Sequence, residues 1–382
     1  MSRKTITKNI AYDSQRNTFY VTLYTPATAE QGRKRTTRCY PTLEQAKAAL
    51  DRHTATRELG KDPLERNPTV GQWLHYWLEE MIRPSREATT VHGYRMIVRN
   101  HLGPELGHIP LRSLTGTQIQ TYLNELQEGG LCANTVRKHY CLLHHALKQA
   151  CRQGLVSSNA AEQATPPASS HPTHHFYDCE SMQRLFRAVE GTPMEAVVKL
   201  AGYLGLRRGE ICGLKWKHVD RQKKIITIIE TRTAVNGQAI DKGTKNSASI
   251  RKLGYSGNAD LEALLEHLWQ KRRRDMQEWG HLYESRDFVV CHDGGKPYQP
   301  DYLSRKFHEM LVDAGLPHVT LHGLRHSFAS IAHSRNVSLY GISKALGHSS
   351  TATTTQIYMH LFDDTHLAVV QEVGRAITQG VR

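Results

Sequence analysis

Four short patterns follow one another in the second half of the 382-residue chain: YLGLRRGEICGLKW at 203–216, GTKNSASIRKL at 243–253, LHGLRHSFAS at 321–330 and LGHSSTATTTQIYMH at 346–360. Together they offer two arginines (Arg207, Arg325), two histidines (His322, His348), a turn lysine (Lys245) and a tyrosine (Tyr358). That set suits metal-free cleavage of a phosphodiester. A phenol attacks phosphorus, fixed cations hold the non-bridging oxygens, a lysine protonates the leaving 5′ oxygen, and histidines donate to the phosphate or take the phenol proton. Arginine keeps its charge at any ordinary pH and grips phosphate through two parallel N–H bonds. A phosphotyrosine would store the bond energy, so rejoining would need no ATP. Singly, each pattern is weak. His and Arg three apart on a helix usually make a surface pair, a Gly-His step is a turn, and Tyr358 is one of 16 tyrosines. Their ordered occurrence carries the argument.

The elements around them read as mixed α/β and mainly helical. Ser181–Val189, Met194–Leu204 and Asp260–Gln277 have helical spacing, and more helices follow from Tyr302. A strand pair is expected through KIITIIETR and SIRKLGY, and a short strand at VVCHD. The run KRRR at 271–274 reads as the solvated end of a helix packed through Leu261, Leu264, Leu265 and Leu268. Residues 363–380 read as an amphipathic helix through Leu367, Val370, Val373 and Ile377, packed on its own domain or docked on a neighbouring subunit.

Two further regions precede these. Ile6–Ile10, Asn17–Tyr24 and Arg33–Tyr40 alternate as three short strands, and Thr42 with Gln45 caps a following helix. Arg33, Lys34, Arg35 and Arg38 load the third strand with charge, which fits either a solvated edge strand or a sheet laid in a DNA groove. After the turn-rich GKDPLERNP at 60–68, residues to about 162 are nearly all helix, with Thr115 and Asn134 as caps. Trp73, Trp77, Leu142, Leu143 and Leu147 form core stripes. Arg137, Lys138 and His139 share one helix start, as a solvated face or a phosphate contact, and Arg95 is a further DNA-contact candidate. Residues 160–177 form a second linker.

Composition narrows the classes. Lys and Arg number 50 against 36 Asp and Glu, a net charge of +14 that points to a polyanionic partner. Residues 1–66 carry 13 basic and 7 acidic side chains, the most basic stretch for its size. No apolar run is long enough for a membrane span, and the first residues lack a signal peptide's apolar stretch. Seven scattered cysteines without a C-x-x-C imply reduced thiols in a cytoplasmic setting. HPTHH at 171–175 reads as linker, and no carboxylate cluster suits Mg²⁺, so neither metal nor cofactor is expected.

With these patterns in place, the chain resembles the tyrosine recombinase (phage integrase) family, of the arm-binding type carried by phages and conjugative transposons. G-L-R-x-G-E-x-x-G-L-x-W looks like the family's first box, H-x-x-R-H its second, and L-G-H-S-S…T-T…I-Y its last. The resemblance makes Arg207, Lys245, His322, Arg325, His348 and Tyr358 catalytic and Glu210 a supporting acid. Lys242 is a rival for Lys245, which sits where the T-K-x-S pattern places the lysine. It also implies four regions. These are a small α+β arm-binding domain at 1–60 (three-stranded sheet plus helix), an all-α core-binding domain at 67–162, a mixed α/β, mainly helical catalytic domain at 176–362 and a tail helix at 363–382.

The implied reaction is integration and excision of a mobile element through a 3′-phosphotyrosine and a Holliday junction. The implied partners are double-stranded DNA at core and arm sites, three further copies in a homotetramer, and a directionality factor and host DNA-bending protein. The setting would be the nucleoid of a bacterial cytoplasm. Three rivals remain at this level: a type IB topoisomerase-like nicking-resealing enzyme, a DNA-binding regulator on an integrase scaffold, and a metal-dependent nuclease.

Overall fold

The structure, a computed structural model, describes residues 3–25, 34–59, 67–170, 175–243 and 249–347. It divides into two compact units, 1–170 and 171–382.

The first unit opens with an antiparallel meander of four strands, β1 (Arg3–Thr7), β2 (Ile10–Asp13), β3 (Thr18–Thr25) and β4 (Lys34–Tyr40). The sequence had suggested three. The strand expected over Ile6–Ile10 is broken by a reversal at Lys8 and Asn9, where Asn9 takes φ +73° and the chain returns on itself. Asparagine tolerates that left-handed conformation because its short amide can bond locally. Ile10 and Val21 face each other on the covered side and pack with Leu23 on Ala46 of α1 (Leu43–Leu59). Thr42 caps that helix, its Oγ1 accepting from Gln45 N at 3.3 Å.

A separate apolar cluster forms the helical part. It comprises α2 (Val70–Tyr76, extended by a wider π turn at Trp77–Ile82), α3 (Ala88–Ile97, likewise extended over Val98–Leu102), α4 (Gly103–Leu106), α5 (Gly116–Glu128) and α6 (Ala133–Arg152). Thr69 with Gln72 and Thr115 with Gln118 form reciprocal capping boxes. Trp73, Trp77, Leu142, Leu143 and Leu147 are buried as their spacing predicts, each contributing about 1.5–3 kcal/mol of apolar burial. Trp73 Nε1 also donates to Ala146 O at 2.9 Å, fixing α2 on α6. Asn134 is not a cap. Cys132 takes that position, and Asn134 lies inside the first turn, where its amide brackets the backbone of Ser170.

In the second unit, α7 (Cys179–Val189) and α8 (Glu195–Leu204) lead into the short α9 (Arg208–Gly213). A three-stranded sheet of β5 (Val219–Asp220), β6 (Ile225–Ile228) and β9 (Arg251–Gly254) realises the expected pairing, with Ile228 opposite Arg251. Between β6 and β9 stands a hairpin that the sequence reading missed, β7 (Glu230–Val235) and β8 (Gln238–Gly243). Its turn is Asn236-Gly237, both with φ above zero, the residue pair that two-residue hairpins select. Gly213 lets α9 lie directly on β7: a Cβ there would meet Arg232 N at 2.9 Å and two Thr231 backbone atoms at the same distance.

The remaining helices are α10 (Ala259–Trp279), α11 (Pro300–Asp313), α12 (Leu321–Ser334) and α13 (Leu339–Leu346). VVCHD is no strand, since only isolated bridges form beside it, Lys215 with Phe288 and Cys291 with Pro297. KRRR is only half solvated. Lys271 pairs with Asp275 and Asp293, Arg272 pairs with Asp287 and lies over the Trp269 ring, and only Arg273 and Arg274 are exposed. All seven cysteines are unpaired thiols. Among the described residues no helix is long and apolar enough to cross a membrane.

Candidate active site

Arg325 sits on the buried stripe of α12, one helical turn after Leu321 and beside Leu324, and is 2% exposed. A guanidinium carried into a core must find acceptors, and it finds them on two other motifs. Nη1 donates to Gly205 O at 2.7 Å and Nη2 to Leu346 O at 2.6 Å. Both carbonyls stand at helix ends, where the last C=O groups lack intrahelical partners. Gly205 closes α8 at φ +61° and Gly347 closes α13 at φ +67°, so the glycines of L-G-L-R and L-G-H are both left-handed caps. Gly205 is also tight: a Cβ would lie 2.8 Å from Leu346 Cδ2 and Phe328 Cδ1. One arginine thus gathers the first, third and fourth patterns.

A second knot is acidic at its centre. Glu210, 2% exposed, bonds Arg207 twice, accepting from its backbone N at 2.9 Å and from Nη1 at 2.8 Å. Its two oxygens also accept from Nη1 and Nη2 of Arg251 at 2.9 and 2.8 Å. Burial pushes this carboxyl up, but the hydrogen bonds and charge of Arg251, with those of Arg207, more than offset it and leave it at about 2. Arg251 Nε continues to Ala345 O at 2.7 Å, so the second pattern joins the first and the residue that immediately precedes the fourth. The Arg207 side chain remains 35% exposed, and among the described residues its Nε and Nη2 have no partner. That is a cation held in place from behind and open in front.

His322 lies in the first turn of α12, exposed, with its ring edge-on to that of His326 at 4.9 Å between centroids. Thr320 caps this helix through Gly323 N at 2.9 Å. The β7–β8 hairpin is rooted in charge as well. Glu230 is held by Lys215, Lys217 and His218, which bring it to about 2 against the upward push of burial. The buried Arg232 pairs across the hairpin with Asp241 and lies over the Phe288 ring. Lys242, the rival lysine, is on β8. Lys245, His348, Tyr358 and the helix expected at 363–380 fall outside the described residues, as do Arg33 and most of HPTHH.

Arg251, Arg232 and His326 were not singled out from sequence. Arg251 had one available signal, its place in the inward-facing register of a strand beside Leu253.

Of the DNA-contact candidates, Lys34, Arg35 and Arg38 lie on β4 and Arg38 is exposed. Arg95 is engaged with Glu79 at 2.6 Å, and Arg137 donates to Pro167 O at 2.8 Å. Lys138 is exposed. His139 is not a surface group. It is 2% exposed, bonded through Nδ1 to Tyr122 OH at 2.7 Å and edge-on to His101. Burial and then the neighbouring His101 bring it down to about 4. Its helical position places it on the Val136–Leu143 stripe, which turns it inward, so it is withdrawn as a phosphate contact. Among the described residues no group of three His, Cys, Asp or Glu could hold a metal ion.

Residues 176–365 match the phage integrase family model and residues 69–127 the phage integrase N-terminal SAM-like domain. The chain is 27% identical over 312 residues to a tyrosine recombinase XerC-like protein of Caldanaerobacter subterraneus subsp. tengcongensis, covering 77% of this chain and 79% of that one. It is 24% identical over 334 residues to the integrase of Staphylococcus phage L54a, covering 80% and 92%. The Tn1549 transposon integrase in complex with transposon right end DNA shares the fold at TM-score 0.68 and 18% identity, over 80% of this chain and 99% of that one. A lambda integrase tetramer bound to a Holliday junction does so at TM-score 0.56 and 18% identity, over 91% and 97%.

Proposed function

Since the chain belongs to the phage integrase family of tyrosine recombinases, enzymes that exchange DNA strands, we propose that it integrates and excises a mobile element at specific DNA sites. In this reading Tyr358 Oη attacks the scissile phosphorus while Arg207 and Arg325 hold the non-bridging oxygens. The P–O bond to the 5′ oxygen breaks, Lys245 supplies that oxygen's proton, and a 3′-phosphotyrosine remains. His322 and His348 donate to the phosphate or take the phenol proton. The freed 5′ hydroxyl of one duplex then attacks the phosphotyrosine of its partner, releasing the tyrosine. A second exchange resolves the four-way junction. Positioning and electrostatics supply the rate enhancement.

The observation that carries this reading is the pair of arginine knots. Arg325 bonded to Gly205 and Leu346, and Arg251 bonded to Glu210 and Ala345, draw together four patterns far apart in sequence. We assign 1–60 to arm-site DNA, 67–162 to core-site DNA and 176–362 to catalysis, with a homotetramer as the active assembly. A directionality factor and a DNA-bending protein complete the partners. The lambda integrase tetramer and the transposon DNA complex support the assembly and the substrate class.

Covalent trapping tests the proposal. The protein is incubated in EDTA with a nicked duplex carrying the junction of its host element, and adducts are resolved on a denaturing gel. An adduct present in the parent and absent in Tyr358→Phe is expected. Binding to the proven site without any adduct would return the chain to the DNA-binding regulator. An adduct surviving in Tyr358→Phe would mean another nucleophile.

A further inference from the structure

The chemistry proposed above gives Arg251 nothing to do, yet this guanidinium is 8% exposed and fully engaged. Nη1 and Nη2 meet both oxygens of Glu210 at 2.9 and 2.8 Å, Nε meets Ala345 O at 2.7 Å, and Nη1 also reaches Ser249 O at 3.4 Å. Gly347 closes the enclosure, since a Cβ there would lie 3.1 Å from Arg251 Cδ and Nη1. Nε, Nη1 and Nη2 are all committed to acceptors of the protein itself. What it does touch is the support of the reacting groups. Glu210 holds Arg207 from behind. Ser249 lies four residues after Lys245, and Ala345 three before His348.

We infer that Arg251 is a positioning residue: one planar, rigid fork keeps the Arg207–Glu210 pair, the backbone at Ser249 and the end of α13 in mutual register. Lysine cannot replace it, because a single ammonium can neither grip both carboxylate oxygens in plane nor reach Ala345 O as well. The electrostatics give the inference its signature. Glu210 is faced by two cations, Arg207 from its own helix and Arg251 from β9, while α13 contributes only the backbone that Arg251 holds. Without Arg251 the buried carboxyl keeps one cation against the full push of burial, so it takes up a proton more readily. A protonated Glu210 loosens its hold on Arg207. Cleavage by Arg251→Gln should therefore fall toward acid pH more steeply than the parent's.

The inference rests on the strand-transfer reading, and the experiment uses two readouts to keep them apart. The first is single-turnover adduct formation on the nicked duplex across the pH range; the second is backbone amide exchange over 205–211 and 342–347. Arg251→Gln should bind DNA as the parent does but cleave about 100-fold more slowly near pH 6, recovering at least about tenfold toward pH 8.5. Arg251→Lys should be slow without that steeper fall. Exchange should rise in both segments in either variant. A profile parallel to the parent's, or cleavage within about threefold of it, overturns the inference. So does unchanged exchange over 342–347. If Arg251→Gln does not fold, the double variant with Glu210→Gln removes both buried charges. Slow cleavage by the folded double variant supports the inference, and parental cleavage overturns it. Should the parent form no Tyr358-dependent adduct, the strand-transfer reading fails, and the exchange arm still decides whether Arg251 couples the segments.

Discussion

Replacing Arg325 with methionine separates the task that the structure gives this residue, tying two helix ends, from the catalytic one proposed for it. Methionine keeps most of the volume, so the loss is that of the donors rather than of packing. Two carbonyls, Gly205 O and Leu346 O, then lose a charged donor inside a core where Arg325 is 2% exposed. Hydrogen bonds to charged groups contribute about 1.5–3 kcal/mol each, and a buried acceptor left unpaired forfeits that amount. Removing the buried cation returns some of its desolvation cost, so the net loss is about 2–4 kcal/mol. For a unit of this size that is roughly 4–16 °C in the melting temperature of the second unit. Arg207→Met is the contrast. Its side chain is 35% exposed, and Glu210 keeps both bonds to Arg251, so the loss is about 1 kcal/mol. Both variants should fail to form adducts, but only Arg325→Met should also melt early. Calorimetry on the full chain, with the two transitions followed separately, reads the difference. An Arg325→Met transition within about 2 °C of the parent's would refute the claim that this residue ties the helix ends together.

Three further outcomes follow from particular contacts. His139 is neutral in the fold at about 4 and returns to about 6.5 when unfolded. The unfolded chain therefore binds more protons between those values, and the helical part should lose about 3 kcal/mol as pH falls from 6.5 to 4, with no dependence above; His139→Gln should flatten that slope in urea melts. Lys138→Ala and Arg38→Ala, both at exposed sites, should weaken DNA binding and each lower the salt slope by about 0.9, whereas His139→Gln should leave it unchanged. Gly213→Ala would drive a Cβ into the backbone of Thr231 and Arg232, so it should destabilise by about 1–3 kcal/mol and slow cleavage, while Gly243→Ala, with nothing within 4 Å, should fold as the parent does. Thermal melts with parallel trapping assays check the last pair.

Much of this protein was legible in its residues because the signals are local. Helical spacing puts Trp73, Trp77 and Leu147 in a core, Thr42 and Thr115 read as caps, and the first pattern carries both Arg207 and the acid that holds it, Glu210. Errors arose where a local pattern had two solutions. A β-favouring run at Ile6–Ile10 is broken by an Asn9 reversal, and the Asn236-Gly237 turn lies in the stretch between the two expected strands, where no hairpin is expected. His139 shows the limit most plainly. Its neighbours Arg137 and Lys138 make a basic cluster in one dimension, but a helix turns each residue by 100°, and the third member faces Tyr122 in the core. What only the tertiary structure decided is the wiring: that Arg325 meets carbonyls 120 and 21 residues away, and that Arg251 meets Glu210 41 residues away and Ala345 94 away. A buried guanidinium must be satisfied, which composition can demand, but which acceptors satisfy it depends on where helix ends come to rest once the apolar faces have packed.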